Sequence, residues 1–246
     1  MRRKTYKKGI LIIAAFALII AGLAVILYPY ACQHLYKQQA KQVIREYEDR
    51  MAAYAEAESD DAWEWLYEMM VQYNKELYES NQSELTDAFS YQQVDFSLKQ
   101  FGFDEEMIGY LTVPKMNIEL PIYLGANKAN LAKGAAHLTY TSLPVGGVNT
   151  NSVFAAHRGM STAAMFRDIE KLEIGDEITI TNFRETLLYR VAEIKIIAPT
   201  DTDEILIQPG RDLVTLITCH PYRHNYQRYV VRCERVNQET GDGTMS

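Results

Sequence analysis

Cysteine is scarce in this chain. Cys32, Cys219 and Cys233 are the only three in 246 residues, an odd and small number that excludes a disulfide framework. Proline and glycine are missing altogether from residues 32–82, so that stretch has none of the usual turn punctuation. A net positive balance is confined to the N-terminus. Of the formal net charge of -7, Arg2, Arg3, Lys4, Lys7 and Lys8 contribute five positive charges before the first apolar run, and the remainder therefore carries -12. That sign, with no basic stripe interleaved with aromatics, excludes nucleic acid as a partner. No repeat of fixed period and no long low-complexity tract occurs, which excludes a solenoid or a disordered scaffold. The length allows one mid-sized catalytic domain with accessory segments.

Against those absences stands one uncharged run, Gly9 to Leu27, rich in Ile, Leu and Ala. As a helix its 19 residues reach roughly 28 Å, close to the ~30 Å hydrocarbon core of a bilayer. The basic residues ahead of it place the N-terminus in the cytoplasm and the rest of the chain outside. The apolar core of a cleaved signal peptide is shorter and precedes a small-x-small site, whereas Tyr28-Pro29-Tyr30 is bulky. Pro29-Tyr30-Ala31 also lacks the Leu-small-small lead-in that would make Cys32 a lipidated cysteine. A permanent anchor is the expectation.

Residues 32–82 are rich in Ala, Glu, Gln and Lys, which are strong helix formers. Val43, Tyr47, Met51 and Tyr54 recur at helical spacing, as do Trp63, Leu66, Met70 and Tyr73. Two helices follow, with a break near Ser59-Asp60-Asp61. They form either a plain spacer or, for the aromatic-rich second helix, a segment docked on the domain beyond; Trp63 and Trp65 read as packing residues. From Met107 onward the pattern changes to short β-rich runs at Ile108–Val113, Ile118–Tyr123, Val153–Ala156, Glu177–Thr181, Leu187–Ile197, Leu213–Cys219 and Tyr229–Val236. Gly125, Gly146-Gly147, Gly175-Asp176 and Pro209-Gly210 separate them. This predicts a mainly β fold, an antiparallel or mixed barrel, with Ala163–Leu172 as its one helix.

Cys219 ends the run Leu-Val-Thr-Leu-Ile-Thr-Cys and is followed by His220-Pro221. A strand that stops at a thiol before a turn-forcing proline holds the sulfur at a rigid sheet edge. Cys233, in mid-strand, fits the role of a buried structural cysteine. A thiol with an ordinary pKa of ~8.5 needs a partner to react at neutral pH, and His157 ends a second strand-like run, Ser-Val-Phe-Ala-Ala-His. Arg228 begins the last run, so a hairpin could return its guanidinium to the sulfur as an oxyanion donor. Spacing alone leaves the adjacency of these three open. His220 and His224 would make a metal pair only on a helix, which Pro221 opposes.

Thr-Leu-Ile-Thr-Cys219-His-Pro-Tyr, followed by Gln-Arg228-Tyr-Val-Val-Arg, resembles the cysteine signature of sortases and its downstream arginine. Ala-Ala-His157-Arg-Gly resembles their histidine segment. The likeness extends through Gly109-Tyr-Leu-Thr-Val-Pro, Leu120-Pro-Ile-Tyr-Leu-Gly, Thr141-Ser-Leu-Pro-Val-Gly-Gly and Leu172-Glu-Ile-Gly-Asp. The resemblance implies an eight-stranded sortase β-barrel and a transpeptidation needing no metal or organic cofactor. Cys219 would attack the Thr carbonyl of a Leu-Pro-x-Thr-Gly type sorting signal, Arg228 would steady the oxyanion, and His157 would move the protons. Thr218, His220 and Asn225 would shape the substrate groove.

Thr141-Ser-Leu-Pro-Val-Gly-Gly and the long helical N-terminal region are most similar to the class C, pilus-assembling sortases. Their lid, an Asp-Pro-aromatic motif, has its counterpart in Asp87-Ala88-Phe89, with alanine in place of proline. Two further departures are the absence of a second apolar span and the loop Arg223-His224-Asn225-Tyr226. They keep open a housekeeping-type enzyme that anchors surface proteins to cell-wall peptide. A cysteine hydrolase and a non-catalytic membrane-tethered binding protein are the rivals from other classes. The implied partners are a sorting signal, an amine acceptor (pilin lysine or cell-wall peptide) and the membrane. The expected organisation is a cytoplasmic basic segment at 1–8, a transmembrane anchor at 9–30, a helical stalk at 31–82, a lid and linker at 83–104, an extracellular catalytic barrel at 105–236 and a polar tail at 237–246.

Overall fold

The computed structural model describes residues 2–56, 60–83, 85 and 107–236. Two helices come first, α1 (Arg2–Glu56) and α2 (Asp60–Glu79), and α2 starts within the Ser59-Asp60-Asp61 cluster. The apolar stretch and the first half of the expected stalk are one helix, with Pro29 inside it. Its N-terminal part is long and apolar enough to cross a membrane. Further along, Ala40, Ile44 and Tyr47 are buried at three- and four-residue spacing, the stripe by which α1 lies along the barrel wall.

Eight strands close into a barrel: β1 (Met107–Val113), β2 (Ile118–Leu124), β3 (Ala135–His137), β4 (Thr150–Ala155), β5 (Glu177–Thr181), β6 (Thr186–Ile197), β7 (Asp212–His220) and β8 (Gln227–Arg235). Their order around the wall is β1-β2-β3-β4-β7-β8-β6-β5. The β2–β3 and β4–β7 pairs are parallel and the others antiparallel, so the barrel is of the mixed type. At Gly109, φ is +151° and an added Cβ would lie 2.2 Å from the Thr181 carbonyl oxygen. Only glycine lets β1 kink that close to β5.

One expectation is corrected. Ala163–Leu172 is not a helix: only Ile169–Lys171 forms a single 3-10 turn. Met165 takes a φ of +39°, and the Phe166 N–H turns back to the His157 carbonyl at 3.0 Å instead of joining a helical ladder. The buried Ala163, Met165, Phe166, Ile169 and Leu172 imitate a helical stripe while packing a folded loop. The α-helix of the barrel region is instead α3 (Lys128–Lys133), started by Asn127, whose side chain accepts from the Asn130 N–H at 2.9 Å.

The second helix docks on the barrel rather than acting as a spacer. Leu66 and Met70 enter the main core, and Trp63 stacks on Phe183 with ring centroids 5.2 Å apart. Trp65 is the exception among the expected packing residues, being exposed. Buried Asn74 donates to the Leu143 carbonyl at 3.0 Å and accepts from the Leu143 N–H at 2.7 Å. Replacing Asn74 with alanine orphans both backbone groups, each costing about 1–3 kcal/mol. Urea unfolding of N74A should show a loss of about 2–6 kcal/mol, and an unchanged midpoint would mean that α2 contributes little to the fold.

Candidate active site

The strand register brings the three expected residues to one place. Cys219 on β7 and Arg228 on β8 are direct cross-strand partners, so their side chains rise from the same face about 5 Å apart at the backbone. On the other side of β7, β4 runs parallel with Ala155 opposite Ile217. The Ala156 N–H carries that ladder on to the Ile217 carbonyl at 3.4 Å, and two residues beyond the Ala155–Ile217 pair stand His157 and Cys219. All three side chains are half-buried.

Strand alternation decides what else faces the site. Val153, Ala155, Ile197, Ile217 and Val230 form an apolar layer on the outside of the barrel, and Leu85 packs on it. Cys219, His157 and Arg228 continue that face at the barrel's end. The residues between them point inward, where Val214, Leu216, Val231 and Cys233 join the main core. Thr218 is buried, and its hydroxyl donates to the Ala156 carbonyl at 2.6 Å. His220 turns to the same inner side. Neither side chain therefore shares the face of Cys219. Asn225 contributes through its backbone: its carbonyl accepts from Arg228 Nη1 at 2.7 Å, and the Gln227 carbonyl does so at 3.0 Å. These two bonds fix the plane of the guanidinium. Asp87, Ala88 and Phe89 lie outside the described residues.

Beneath the site lies a cluster that sequence reasoning missed. Arg158, almost wholly buried, reaches Glu170 at 2.6 Å and the Nδ1 of His220 at 2.9 Å, and its guanidinium lies 5.7 Å from the centroid of the Tyr229 ring. Arg158 follows His157 and His220 follows Cys219, so this bond ties together the two strand ends that carry the candidate pair. The signal was present in the alternation, which places the residues after His157 and Cys219 on one common face.

The dipeptide Ala-Ala precedes two histidines, His137 and His157, and burial separates their roles. His157 is half-buried, and desolvation lowers its pKa from the ordinary value, which favours the neutral, proton-accepting imidazole. His137 is sealed in the wall, with Nε2 2.9 Å from the Ser142 carbonyl oxygen, and burial lowers its pKa to about 4. Between pH 6.5 and about 4 the unfolded chain binds a proton at this residue and the folded chain does not. Its contribution is complete above pH 6.5 and fades by about 3 kcal/mol as the pH falls through that window. Chemical denaturation of the parent and H137Q across that range should show a flatter pH dependence in the variant. Parallel curves would remove His137 as the cause.

The sortase domain family matches residues 111–236, just over half the chain and including every residue of the site. Sortase A of Bacillus anthracis is 30% identical over 156 residues, covering 63% of this chain and 72% of that one. Among solved structures, sortase C of Streptococcus pneumoniae superposes with a TM-score of 0.70 at 33% identity, covering 80% of this chain and 97% of that one. Clostridium perfringens sortase C, solved with the C-terminal cell wall sorting motif, gives 0.67 at 35% identity over 81% and 100% of the two chains. A barrel of this order with a cysteine, a histidine and an arginine converging at its end, matched over this length, makes the chain a member of the sortase family of cysteine transpeptidases.

Proposed function

We propose that the chain is a class C-type sortase that joins a Leu-Pro-x-Thr-Gly-like sorting signal to a pilin lysine, with Cys219 as nucleophile. The observation supporting this reading is the register that sets Arg228 directly across from Cys219, with β4 running parallel beside β7 and ending two residues before His157. The apolar layer formed by Ala155, Ile197, Ile217 and Val230 offers a floor for the Leu-Pro portion. The Cys219 thiol passes its proton to His157 and the sulfur attacks the Thr carbonyl carbon. The resulting oxyanion is held by Arg228. As the intermediate collapses the C–N bond breaks, and His157 returns the proton to the leaving Gly amine. The incoming amine then attacks the thioester, gives a proton to His157 and releases the Cys219 sulfur, which recovers that proton.

The likeness to sortase C structures supports the pilin reading, as does the helical N-terminal region that packs on the barrel. In the same reading the apolar part of α1 anchors the chain in the cell membrane with the barrel outside. The departures in the loop Arg223-His224-Asn225-Tyr226 favour keeping cell-wall peptide as the alternative acceptor. The purified ectodomain, incubated with a sorting-signal peptide and offered both a pilin domain and a cell-wall peptide amine, should form the pilin product faster. Product with the cell-wall amine alone makes it an anchoring enzyme, and release of the free acid regardless of acceptor makes it a hydrolase.

A lid at Asp87-Ala88-Phe89 belongs to this proposal. Its support is that Leu85 packs on the catalytic face, while Gln82 donates to the Tyr140 carbonyl at 3.0 Å and accepts from the Ile207 N–H at 2.6 Å. The chain thus enters the segment from the catalytic side. Replacing Asp87 and Phe89 with alanine should speed thiol labelling of Cys219 several-fold; an unchanged rate would count against a lid.

A further inference from the structure

The bonds that fasten α1 to the barrel have a direction. Gln33 Nε2 donates to the Ser161 carbonyl at 3.1 Å, Tyr36 Oη to the Lys133 carbonyl at 2.9 Å, and Lys37 Nζ to Asn117 Oδ1 at 3.1 Å. Higher on the helix, Tyr47 Oη reaches the Ile108 carbonyl at 3.4 Å and Glu48 accepts from Tyr110 Oη at 2.6 Å. Asn117 precedes β2, Lys133 precedes β3, and Ser161 lies four residues after His157. By the strand directions all three stand at the end of the barrel where β4 and β7 finish and β8 begins. That is the end carrying Cys219, His157 and Arg228, and it meets α1 just past the apolar run.

The distances are short. At 1.5 Å per residue, Gln33 lies about 5 Å beyond Tyr30 and about 9 Å beyond Leu27 along one continuous helix. The headgroup layer on each side of a bilayer is about 5–8 Å deep. A span running to Tyr30 would hold the loop after His157 at the level of the headgroups. That loop brings a neighbour with it: Arg223 packs against Gly159, its Cα 3.5 Å from where a Cβ would stand. Arg223 belongs to the loop between β7 and β8, whose Tyr222 and Tyr226 are both exposed. Ile174, in the turn before β5 at the same end, is also exposed. Tyrosines, an arginine and an isolated large aliphatic residue are the side chains that settle at a lipid–water boundary.

We propose that the barrel end bearing Cys219 rests on the bilayer surface, with Tyr222, Arg223 and Tyr226, together with Ile174, seated among the lipid headgroups. The inference rests on the reading of α1 as a membrane span. It goes beyond that reading by fixing which end of the barrel faces the lipid. The catalytic face then opens sideways along the membrane plane.

The test uses the full chain in vesicles of equal parts phosphatidylcholine and phosphatidylglycerol. Single cysteines are introduced one at a time as Tyr226→Cys, Ile174→Cys, Val148→Cys and Leu18→Cys, in a background carrying Cys32→Ser and Cys219→Ala, with buried Cys233 retained. Each is labelled with an NBD fluorophore and exposed to headgroup or acyl-chain spin-labelled lipid. Val148 is exposed at the opposite end of the barrel, where β4 begins, and Leu18 is exposed on the apolar stretch of α1. The expected result is headgroup quenching several-fold stronger at 226 and 174 than at 148, with acyl-chain quenching at 18. Quenching at 18 but equal, weak quenching at 226, 174 and 148 would overturn the proposal while leaving the anchor intact. Absence of quenching at 18 would overturn the anchor and the proposal together.

Discussion

Replacing Cys219 with alanine should abolish transfer and thioacyl adduct formation, a loss on the order of 10⁴-fold or more, because the proposed route has no other nucleophile to carry the acyl group. The fold should survive: Cys219 is half-buried at the last turn of a strand, and shortening it opens no sealed cavity. The natural control is Cys233, which lies in the core opposite Val214 and whose thiol burial pushes well above the ordinary range. An alkylating reagent should therefore mark Cys219 and spare Cys233 in the folded chain. Intact mass after incubation with a Leu-Pro-x-Thr-Gly peptide reads the result directly. A thioacyl adduct on the parent and none on C219A would establish the nucleophile and the substrate class together. An adduct that persists in C219A would move the chemistry elsewhere. Full biological function in C219A would favour the non-catalytic binding protein.

The sequence disclosed strands by their β-branched runs, and seven of the eight were legible that way. The eighth, Ala135–His137, was not, because two alanines and a histidine carry no β signal and pair only through their place between β2 and β4. The supposed helix at 163–172 shows the converse. Its apolar spacing suits a helix, yet the His157 carbonyl captures the Phe166 N–H, a tertiary contact that no local pattern reports. For the candidate site, the motifs named Cys219, His157 and Arg228, while their adjacency depends on the β7–β8 register and on the parallel pairing of β4 with β7, which spacing leaves open. The resemblance implies a place in the substrate groove for Thr218 and His220. Period-two alternation turns both away, into the ties that join β7 to the end of β4.

Arg228→Met should lower kcat by about 10²–10³-fold, or about 2.7–4 kcal/mol of transition-state stabilisation, with KM for the sorting peptide changed far less. The carbonyls of Asn225 and Gln227 hold Nη1 and so set the plane of the guanidinium before substrate arrives. A donor group positioned in advance acts on charge that develops in the transition state, which is why kcat should carry the effect. Arg228→Lys should rescue little, since an ammonium on a flexible stem has neither the planar fork nor the two-carbonyl seat. Thermal stability should fall only slightly in both variants, because the partially exposed loop carbonyls can turn to water instead. An equal fall in kcat and melting temperature would reduce Arg228 to a structural tie for the β7–β8 loop. A rise in KM with kcat preserved would make it a ground-state anchor for the peptide instead of an oxyanion donor. Near-parental kcat in Arg228→Met would exclude the guanidinium from the chemistry and leave oxyanion stabilisation to backbone N–H groups at the end of β7.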